Sequence, residues 1–354
     1  MIDRVCLAGE FSFGRLGASW ARAFEAIDVK VTRFDIREES SECLAWSLRN
    51  RIAHRIVMNS YSLRHWAARK YNEALVDRVV NSQADALILH NAEFVFPDTL
   101  AKLRNLGVRI IIFHADNPFP PHYNNRPETI PDAREADYYL IWSERLVDKL
   151  HRAGARDARF LPFAWDPQLF PYEQMEKRQW EGVLFIGGWD IEREAFLEQI
   201  GTRFPLKIYG PGYWGSRTRR GSIVRKCWMG TELVGPDAAH AMRECAININ
   251  ILRTQHYIDG HADGLIMRHF EVPGAGGFLL STRSGGATRL LQEGKVADYF
   301  EGIDECTEKI AHYLRRPEER RRIAGRAHAE IAQLHQYTHR IVEITKMLTL
   351  PGSR

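Results

Sequence analysis

The sequence has few cysteines and no long apolar run. No apolar run approaches the roughly 20 residues that a membrane-spanning helix needs, and Met1 leads into a strand-like segment instead of a signal peptide. The five cysteines are widely spaced and include no C-x-x-C pair, which argues against a disulfide framework or a zinc site. We therefore expect a cytoplasmic protein with reduced thiols.

Two familiar ligand-binding motifs are also missing. The loop from Gly9 to Gly14 has the glycine spacing of a phosphate-binding P-loop, but Arg15-Leu16 stands where that motif needs Lys followed by Ser or Thr. His335 and His339 are four residues apart without the Glu of H-E-x-x-H, so a packed helix face is the better interpretation. The glycine turn at Gly14 is still a candidate binding site for an acceptor or a phosphate.

The chain length and pattern predict two α/β domains. At 354 residues the chain is too long for one ordinary core, and 45% hydrophobic and 27% charged residues are typical of globular proteins. Continuous apolar runs such as Ala86–Leu89 and Arg109–Phe113 predict buried parallel strands. We place one Rossmann-like domain at residues 1–165 and another at 178–334, with a C-terminal helix, residues 335–354, crossing back to the first domain.

Two helical segments are predicted from apolar spacing. From Cys306 onward the chain reads as helical, ending in a long segment from about residue 317 to 348. Residues 40–82 read as largely helical, and their apolar side chains are predicted to be core. These side chains are Trp46, Leu48, Ile52, Ile56, Leu63 and Trp66.

The stretch from His256 to Ser281 carries the strongest indication of chemistry. Asp263 and Glu271 are eight residues apart, and Arg268 lies between them. A glycine cluster and a buried strand, 278–280, follow, so acidic and basic groups are expected at the edge of a parallel sheet, where α/β proteins bind ligands. The cluster consists of Gly274, Gly276 and Gly277.

Polar residues also follow other predicted strands. In the first half, His90, His114 and Asp116 come directly after strands. Doubly wound folds carry their ligand-binding and catalytic residues at this end of the strands. Asp116 could equally be a turn-forming residue before Asn117-Pro118. In the second half Gly187, Gly188 and Gly210 follow predicted strands, Tyr209 ends one, and Asn250 lies in the predicted strand 246–251.

The net charge is only +4, but the pI near 8.8 comes from local clusters. The cluster at residues 315–326 lies on a charged helix and reads as a solvated face. Peripheral contact with an anionic membrane or a phosphate is the alternative for the loop cluster. Basic and aromatic residues do not interleave along one element, so we expect no nucleic-acid partner. The loop cluster is Arg217, Arg219, Arg220, Arg225 and Lys226.

The second half resembles a known family. Residues 268–271, R-H-F-E, followed by residues 276–280, G-G-F-L-L, resemble the R-x-F-E...G-x-F-L-L signature of CgeB-like, spore maturation protein type glycosyltransferases. The likeness covers most of residues 108–340. It implies a GT-B fold, in which two Rossmann-like domains face each other across a cleft. The N-terminal domain of such enzymes takes the acceptor and the C-terminal domain takes the nucleotide-sugar donor.

The resemblance also implies roles for the donor-site residues. Glu271 matches the second Glu of an E-x7-E pair, which binds the ribose hydroxyls, and Asp263 takes the place of the first. Arg193 and Arg268 would hold the diphosphate. Tyr209 would either stack on the base of the nucleotide or only cap the end of its strand. Backbone groups at Gly187, Gly188, Gly210, Gly274, Gly276 and Gly277, with Asn250, complete the predicted donor site.

The first domain would then bind the acceptor hydroxyl, on a glycan, a lipid-linked glycan, a small molecule or a protein. Gly14, His90 and His114 are its predicted acceptor residues, and Asp116 is the predicted base of an inverting enzyme. A retaining enzyme needs no such base, so the stereochemical outcome stays open. The sequence contains no D-x-D, the motif that holds Mg²⁺ or Mn²⁺ on a diphosphate, so metal-independent transfer is predicted.

Two other function classes fit the same residues. One is a nucleotide-sugar hydrolase, epimerase or phosphorylase on the same fold, and the other is a non-catalytic protein that binds nucleotide sugars. The first prediction is nevertheless a hexosyltransferase-like enzyme that uses a UDP-, GDP- or dTDP-sugar as co-substrate and no further cofactor.

Overall fold

The computed structural model describes residues 2–43, 56–57, 59–119, 126–174 and 180–349. The chain divides into two compact units. Unit 1 comprises Met1–Leu161 and Thr338–Arg354, and unit 2 comprises Pro162–Tyr337.

Unit 1 is built on a six-stranded parallel sheet with the order β2-β1-β3-β4-β5-β6. The inner strands are uninterrupted apolar runs with every residue of β3 buried, as a sheet covered on both faces requires. The strands are β1 (Arg4–Gly9), β2 (Lys30–Asp35), β3 (Ala86–His90), β4 (Arg109–His114), β5 (Tyr138–Ile141) and β6 (Ala158–Phe160).

Helices connect these strands. The chain reverses its direction of travel across the sheet between β1 and β3, which are neighbours although β2 separates them in sequence. The Tyr138 hydroxyl donates to the Met347 carbonyl at 3.0 Å, which ties the last helix to β5. The helices described in this unit are α1 (Leu16–Glu25), α2 (Ile36–Cys43), α3 (Tyr61–Ala67), α4 (Arg69–Asn81), α5 (Pro97–Asn105), α6 (Thr129–Glu135) and α7 (Glu144–Arg152).

Unit 2 has a five-stranded parallel sheet with the order β13-β12-β9-β7-β8. Val183, Phe185, Ile247 and Leu280 point into its core with Trp214. A short antiparallel pair, β10 (Tyr257–Ile258) and β11 (His261–Ala262), lies outside the sheet. The sheet strands are β7 (Trp180–Ile186), β8 (Leu206–Tyr209), β9 (Cys245–Asn250), β12 (Leu279–Thr282) and β13 (Asp298–Phe300).

The helices of unit 2 alternate with its strands, and the last helix of the chain begins at its boundary. The helices of unit 2 are α8 (Ile191–Gly201), α9 (Tyr213–Arg217), α10 (Ile223–Cys227), α11 (Gly235–Glu244), α12 (Arg268–Gly274), α13 (Gly285–Leu290), α14 (Ile303–Leu314) and α15 (Pro317–Leu334). The last helix, α16 (Tyr337–Thr349), belongs to unit 1 from Thr338 onward. Both units therefore have the parallel, doubly wound architecture that the sequence predicted, and the prediction of two Rossmann-like α/β domains is confirmed.

The long helical segment expected at about residues 317–348 consists of two helices. Helix α15 ends at Leu334 and α16 begins at Tyr337. The Trp165 N–H donates to the His335 carbonyl at 2.8 Å, and the Tyr337 N–H donates to the Trp165 carbonyl at 3.2 Å. These two bonds replace the helical pattern, because a carbonyl that bonds to a distant segment is oriented away from the next helical turn.

The prediction that the apolar residues of 40–82 are core was also wrong where it can be checked. Ile56, Leu63 and Trp66 are 57%, 39% and 64% exposed. Leu63 and Trp66 lie three residues apart on α3, so they share one face of that helix, and this face is exposed. Trp46, Leu48 and Ile52 lie outside the described residues.

The remaining compositional expectations concern cysteines and membrane spans. Cys6, Cys245 and Cys306 are buried, and all five cysteines are free thiols. Burial raises the pKa of the Cys6 thiol to about 12, so this sulfur stays protonated in its apolar surroundings. Among the described helices, none combines the length and the apolar content of a bilayer-crossing segment.

Candidate functional site

The carboxyl edge of the unit 2 sheet collects most of the predicted donor residues. Strands β7 and β9 are neighbours, but β8 lies on the other side of β7. The strand order therefore reverses between the ends of β7 and β9, and ligands of open α/β sheets bind in the crevice at such a switch point. Gly187 and Gly188 follow β7 here, and Asn250 ends β9.

Arg193 bridges the two strand ends at this switch point. Its Nε and Nη2 donate to the Ile251 carbonyl at 3.0 and 2.5 Å, and its Nη1 donates to the Gly188 carbonyl at 3.1 Å. The side chain is buried, and burial, reinforced by the charge of Arg253, lowers its pKa to about 9. Arg193 thus holds two backbone segments of the site together, and its predicted contact with the diphosphate stays a prediction.

Arg253 is a cation that the sequence analysis missed. Its side chain is 29% exposed and its Nε lies 3.3 Å from the Asp190 carboxylate, which also caps α8 by accepting from the Arg193 N–H at 2.8 Å. A Cβ on Gly188 would lie only 2.2 Å from Arg253 Nη2. Arg253 therefore depends on the glycine to pass close to the backbone after β7. Its position just beyond a predicted strand end was the signal that could have found it.

Glu271 and Arg268 lie on α12 and face the same edge. Arg268 Nη1 donates to the Glu271 carboxylate, and its Nε donates to the Ile186 carbonyl at 3.3 Å. Glu271 is 3% exposed, and burial lowers the pKa of Arg268 to about 10. The pair links α12 to the end of β7, so the carboxylate predicted to bind ribose sits beside a guanidinium at the switch point.

Asp263 directly follows β11, packs against the first residues of α13 and is 1% exposed. Its Oδ1 is 3.5 Å from Arg289 Nη2, and a Cβ on Gly285 would lie 3.1 Å from the same oxygen. Ser284, the cap of α13, donates from its hydroxyl to the Gly264 carbonyl at 2.7 Å. Asp263 is therefore fixed by its surroundings, and its predicted contact with the donor sugar stays a prediction.

Asn250 belongs to a buried polar network that the sequence did not reveal. Its Nδ2 donates to Ser281 Oγ at 2.9 Å, and His269 Nε2 lies 3.1 Å from the same hydroxyl. The Ile266 N–H donates to His269 Nδ1 at 3.1 Å, and burial lowers the pKa of His269 to about 4. Asn250 and neutral His269 thus join β9, β12 and α12 beneath the predicted donor site.

Gly210, at the end of β8, permits a close approach of two strand ends. Trp214 Nε1 donates to the Gly187 carbonyl at 2.8 Å, and Trp228 Nε1 donates to the Gly210 carbonyl at 3.2 Å. A Cβ on Gly210 would lie 2.2 Å from the Gly187 oxygen. Tyr209 beside it is half-buried. Its predicted stacking on the base of the nucleotide stays a prediction.

The glycine cluster Gly274, Gly276 and Gly277 requires a correction. It precedes β12, so it lies at the amino end of that strand, opposite the switch point. A Cβ on Gly274 would meet the Trp165 ring at 2.4 Å, and one on Gly277 would meet the Asn248 amide at 2.7 Å. The glycines make room for packed side chains, which is a different role from the predicted phosphate contact.

The carboxyl edge of the unit 1 sheet carries the predicted acceptor residues. His90 packs edge-on against Trp20 with ring centres 4.8 Å apart, and burial lowers its pKa to about 3. His114 is fully buried and stacks on Tyr139 at 5.9 Å. Both imidazoles are packed in the core. This packing does not support their predicted contact with an acceptor. Gly14 adopts the positive φ of 85° that its turn requires.

Asp116 is half-buried in the loop after β4. The neighbouring Asn117 accepts the Phe119 N–H at 3.1 Å with its side chain, so the turn that the sequence offered as the alternative is formed around Asn117. The structure leaves Asp116 in a suitable place at the sheet edge, and its role as a base stays a prediction.

Glu93, which the sequence analysis missed, lies in the loop after β3. Burial raises the pKa of its carboxyl; Arg126 opposes this shift, while Glu10 and Asp116 add to it. Its neighbours Ala92 and Phe94 have positive φ values of 51° and 62°, which is rare for residues with a Cβ and is concentrated at functional sites. A carboxyl with a raised pKa in a strained loop is a candidate acid or base.

The chain resembles known proteins in part of its sequence and in its fold. Residues 193–346 match a family model described as glycosyl transferase-like. No curated protein matches the sequence with significance. Within the described residues, no group of three or more His, Cys, Asp or Glu is arranged to hold a metal ion.

Several solved structures share the complete fold. Sucrose-phosphate synthase from Thermosynechococcus elongatus is 12% identical, with 98% of this chain and 99% of that one covered and a TM-score of 0.66. Anabaena HepE in complex with UDP is 12% identical, with 97% and 99% covered and a TM-score of 0.57. The E. coli trehalose-6-phosphate protein bound with UDP-2-fluoro glucose is 14% identical, with 99% and 100% covered and a TM-score of 0.61. The chain therefore has the two-domain fold of the GT-B glycosyltransferases, and its residues 193–346 carry the glycosyl transferase-like match.

Proposed function

We propose that this protein transfers a sugar from a nucleotide-sugar donor to a hydroxyl acceptor without a metal ion. The observation that carries the proposal is the convergence of Arg253, Arg268 and Glu271 with the Gly187-Gly188 backbone at the switch point of unit 2. This edge lies largely within the segment that matches the glycosyl transferase-like model. Cations and a carboxylate together suit a ligand with both phosphates and vicinal hydroxyls.

The diphosphate needs positive charge, because it leaves as an anion when the sugar is transferred. Arg253 is the partly exposed cation at this edge, and Arg268 is 25% exposed beside it. The amino end of α8 adds backbone N–H groups and the positive end of the helix dipole. Two guanidiniums and a helix end could supply the charge stabilisation that a divalent metal provides in other transferases.

Glu271 would bind the ribose hydroxyls in this proposal. A buried carboxylate accepts two vicinal hydroxyls in charge-assisted bonds, which are stronger than neutral ones. Its ion pair with Arg268 holds the Glu271 side chain at the switch point, beside the proposed diphosphate site. Asp263 would act nearer the transferred sugar, where charge develops as the bond to the diphosphate breaks.

The finer assignments belong to this proposal as well. We infer a UDP-hexose as the first donor to test, because related folds have been solved with UDP, with UDP and glucose, and with UDP-2-fluoro glucose. The residues that resemble CgeB-like transferases motivate that subtype, and unit 1 would hold the acceptor. Asp116 and Glu93 are the two candidate bases there.

A panel of nucleotide sugars tested by thermal unfolding examines the proposal. A ligand present at about 100 times its Kd stabilises the folded state by roughly 2.7 kcal/mol, so one donor should raise the melting temperature clearly, and the rise should persist in EDTA. No shift with any nucleotide would count against the donor site. Loss of the shift in EDTA would refute metal independence, and release of free sugar without an acceptor would indicate a hydrolase.

Replacing Glu271 with Ala should weaken UDP binding about tenfold to a hundredfold. A lost charge-assisted bond to a ribose hydroxyl costs on the order of 1.5–3 kcal/mol. Calorimetric titration of UDP against wild type and variant measures the change directly. Asp263→Asn should leave UDP affinity close to wild type and lower turnover, because its proposed role concerns the sugar and not the nucleotide.

Glu318→Ala is the matched control, since that glutamate is 83% exposed and pairs with Arg321 on the surface of α15. It should bind UDP as the wild type does. Equal UDP affinity of a folded Glu271→Ala variant would show that the donor site is wrongly placed.

A further inference from the structure

Arg217, at the end of α9, is an exposed cation that two aromatic rings hold in place. Its guanidinium carbon lies 5.6 Å from the ring centre of Trp189 and 5.3 Å from that of Tyr213. Contacts of this kind occupy the face of a guanidinium, so the N–H groups at its edge can still donate. None of the described residues forms an ion pair with Arg217, so no carboxylate balances its charge there.

Two carboxylates of α8 face the same loop, but both have other partners. Glu194 accepts from Trp189 Nε1 at 2.7 Å and from the Arg219 N–H at 2.9 Å. Glu198 accepts from Arg219 Nη2 at 2.7 Å. Arg217 is therefore the member of the loop cluster that aromatic rings fix in position while its charge is left for a ligand.

Both rings belong to the edge on which the donor site is proposed. Trp189 directly follows Gly188 in the loop after β7, and Tyr213 begins α9 in the segment after β8. A Cβ on Gly188 would lie 2.9 Å from the Tyr213 hydroxyl oxygen and 2.2 Å from Arg253 Nη2. Tyr213 and Arg253 thus flank the same piece of backbone, and Arg217 adds a further guanidinium beside it.

We propose that Arg217 contacts the diphosphate of the donor, with Trp189 and Tyr213 as positioning residues for its guanidinium. The inference rests on the proposed function, because it adds a residue to the same donor site. A nucleobase is the poorer occupant, since the ring surfaces on which it would stack already hold the guanidinium. A further cation suits a ligand with two phosphates. The donor is therefore assigned to the nucleoside diphosphate sugars and not to sugars activated by a nucleoside monophosphate.

Calorimetric titration of UDP and of uridine tests this assignment. Arg217→Ala should weaken UDP binding about tenfold, because a charge-assisted contact with a phosphate is lost, and should leave uridine binding unchanged. The difference between variant and wild type should shrink in high salt, since screening weakens the contribution of an exposed charge. Arg217→Lys keeps the charge and should bind UDP more tightly than Arg217→Ala does.

Arg225→Ala is the matched control, because Arg225 is an exposed arginine of the same loop cluster but lies on α10, away from the two rings. It should bind UDP like the wild type. Equal UDP affinity of Arg217→Ala and the wild type would overturn the inference and leave the proposed function standing. An equal loss of UDP and uridine affinity would also overturn it, since the contact would then be with the nucleoside. If the wild type binds no nucleotide, the proposed function fails and the assignment of Arg217 falls with it.

Discussion

Glu93→Gln should lower kcat about 10²–10⁴-fold, the contribution that general acid–base catalysis usually makes. The reason is that the acceptor hydroxyl must lose its proton as the sugar is transferred, and a base works best when its pKa is close to the working pH. Burial raises the pKa of Glu93, with Glu10 and Asp116 adding to the shift against the opposing charge of Arg126. The Gln side chain keeps the shape and removes the base.

The pH dependence gives the sign of the effect. A base acts only when ionised, so kcat should rise with pH through the raised pKa of Glu93 and this limb should vanish in Glu93→Gln. Asp116→Asn removes a negative charge that disfavours the ionised form of Glu93. In Asp116→Asn the rise of kcat with pH should therefore occur at lower pH than in the wild type. The loss of kcat should be smaller than in Glu93→Gln. Measuring kcat against pH for wild type and both variants separates the two roles.

Glu38→Gln, an exposed glutamate of α2, serves as the control and should behave like the wild type. If Asp116→Asn loses activity and Glu93→Gln keeps it, Asp116 is the base, as the sequence predicted. If neither variant changes kcat, the reaction uses no base at this edge, which is the behaviour of a retaining enzyme.

The strands were predictable because their physical cause is local. Residues 86–89 and 110–113 are continuous apolar runs, and such runs are buried only when a sheet is covered on both faces. The exposed face of α3 was not predictable, because helical periodicity shows that Leu63 and Trp66 share a face but does not say which way the face points. The helix break at His335 was missed since its cause, the bond from Trp165, comes from a segment far away in the sequence.

The candidate site was likewise predictable from the sequence only in part. The order of residues placed Glu271 and Arg268 on one helix beside a sheet edge, and their contact follows from their spacing of three residues. Arg193 was predicted to hold the diphosphate, and only the fold reveals that its guanidinium bonds to the Ile251 carbonyl. Arg253 and Glu93 gave no motif. Their importance depends on neighbours that the chain brings together from separate loops.

Gly210→Ala should destabilise unit 2 by about 2–5 kcal/mol. The new methyl group would lie 2.2 Å from the Gly187 oxygen and 2.5 Å from Trp214 Nε1, so it must push apart the bond that Trp214 donates to Gly187 at 2.8 Å. Overpacking usually costs about 1–3 kcal/mol, and a buried hydrogen-bonding group left without its bond costs a similar amount. The shift of Gly187 should also weaken UDP binding, because this backbone forms the proposed diphosphate site.

Gly212→Ala, two residues further along the chain, is the internal control for this effect. A Cβ there meets nothing within 4 Å, and the residue has a helical φ of −55° that alanine adopts freely. Its unfolding free energy should stay within about 0.5 kcal/mol of wild type or rise slightly, because alanine narrows the conformational freedom of the unfolded chain. Denaturant unfolding of both variants, followed by UDP titration, measures both effects. If the two substitutions have equal effects on stability and on UDP affinity, the close approach of Gly187, Gly210 and Trp214 does not shape the edge on which the donor site is proposed.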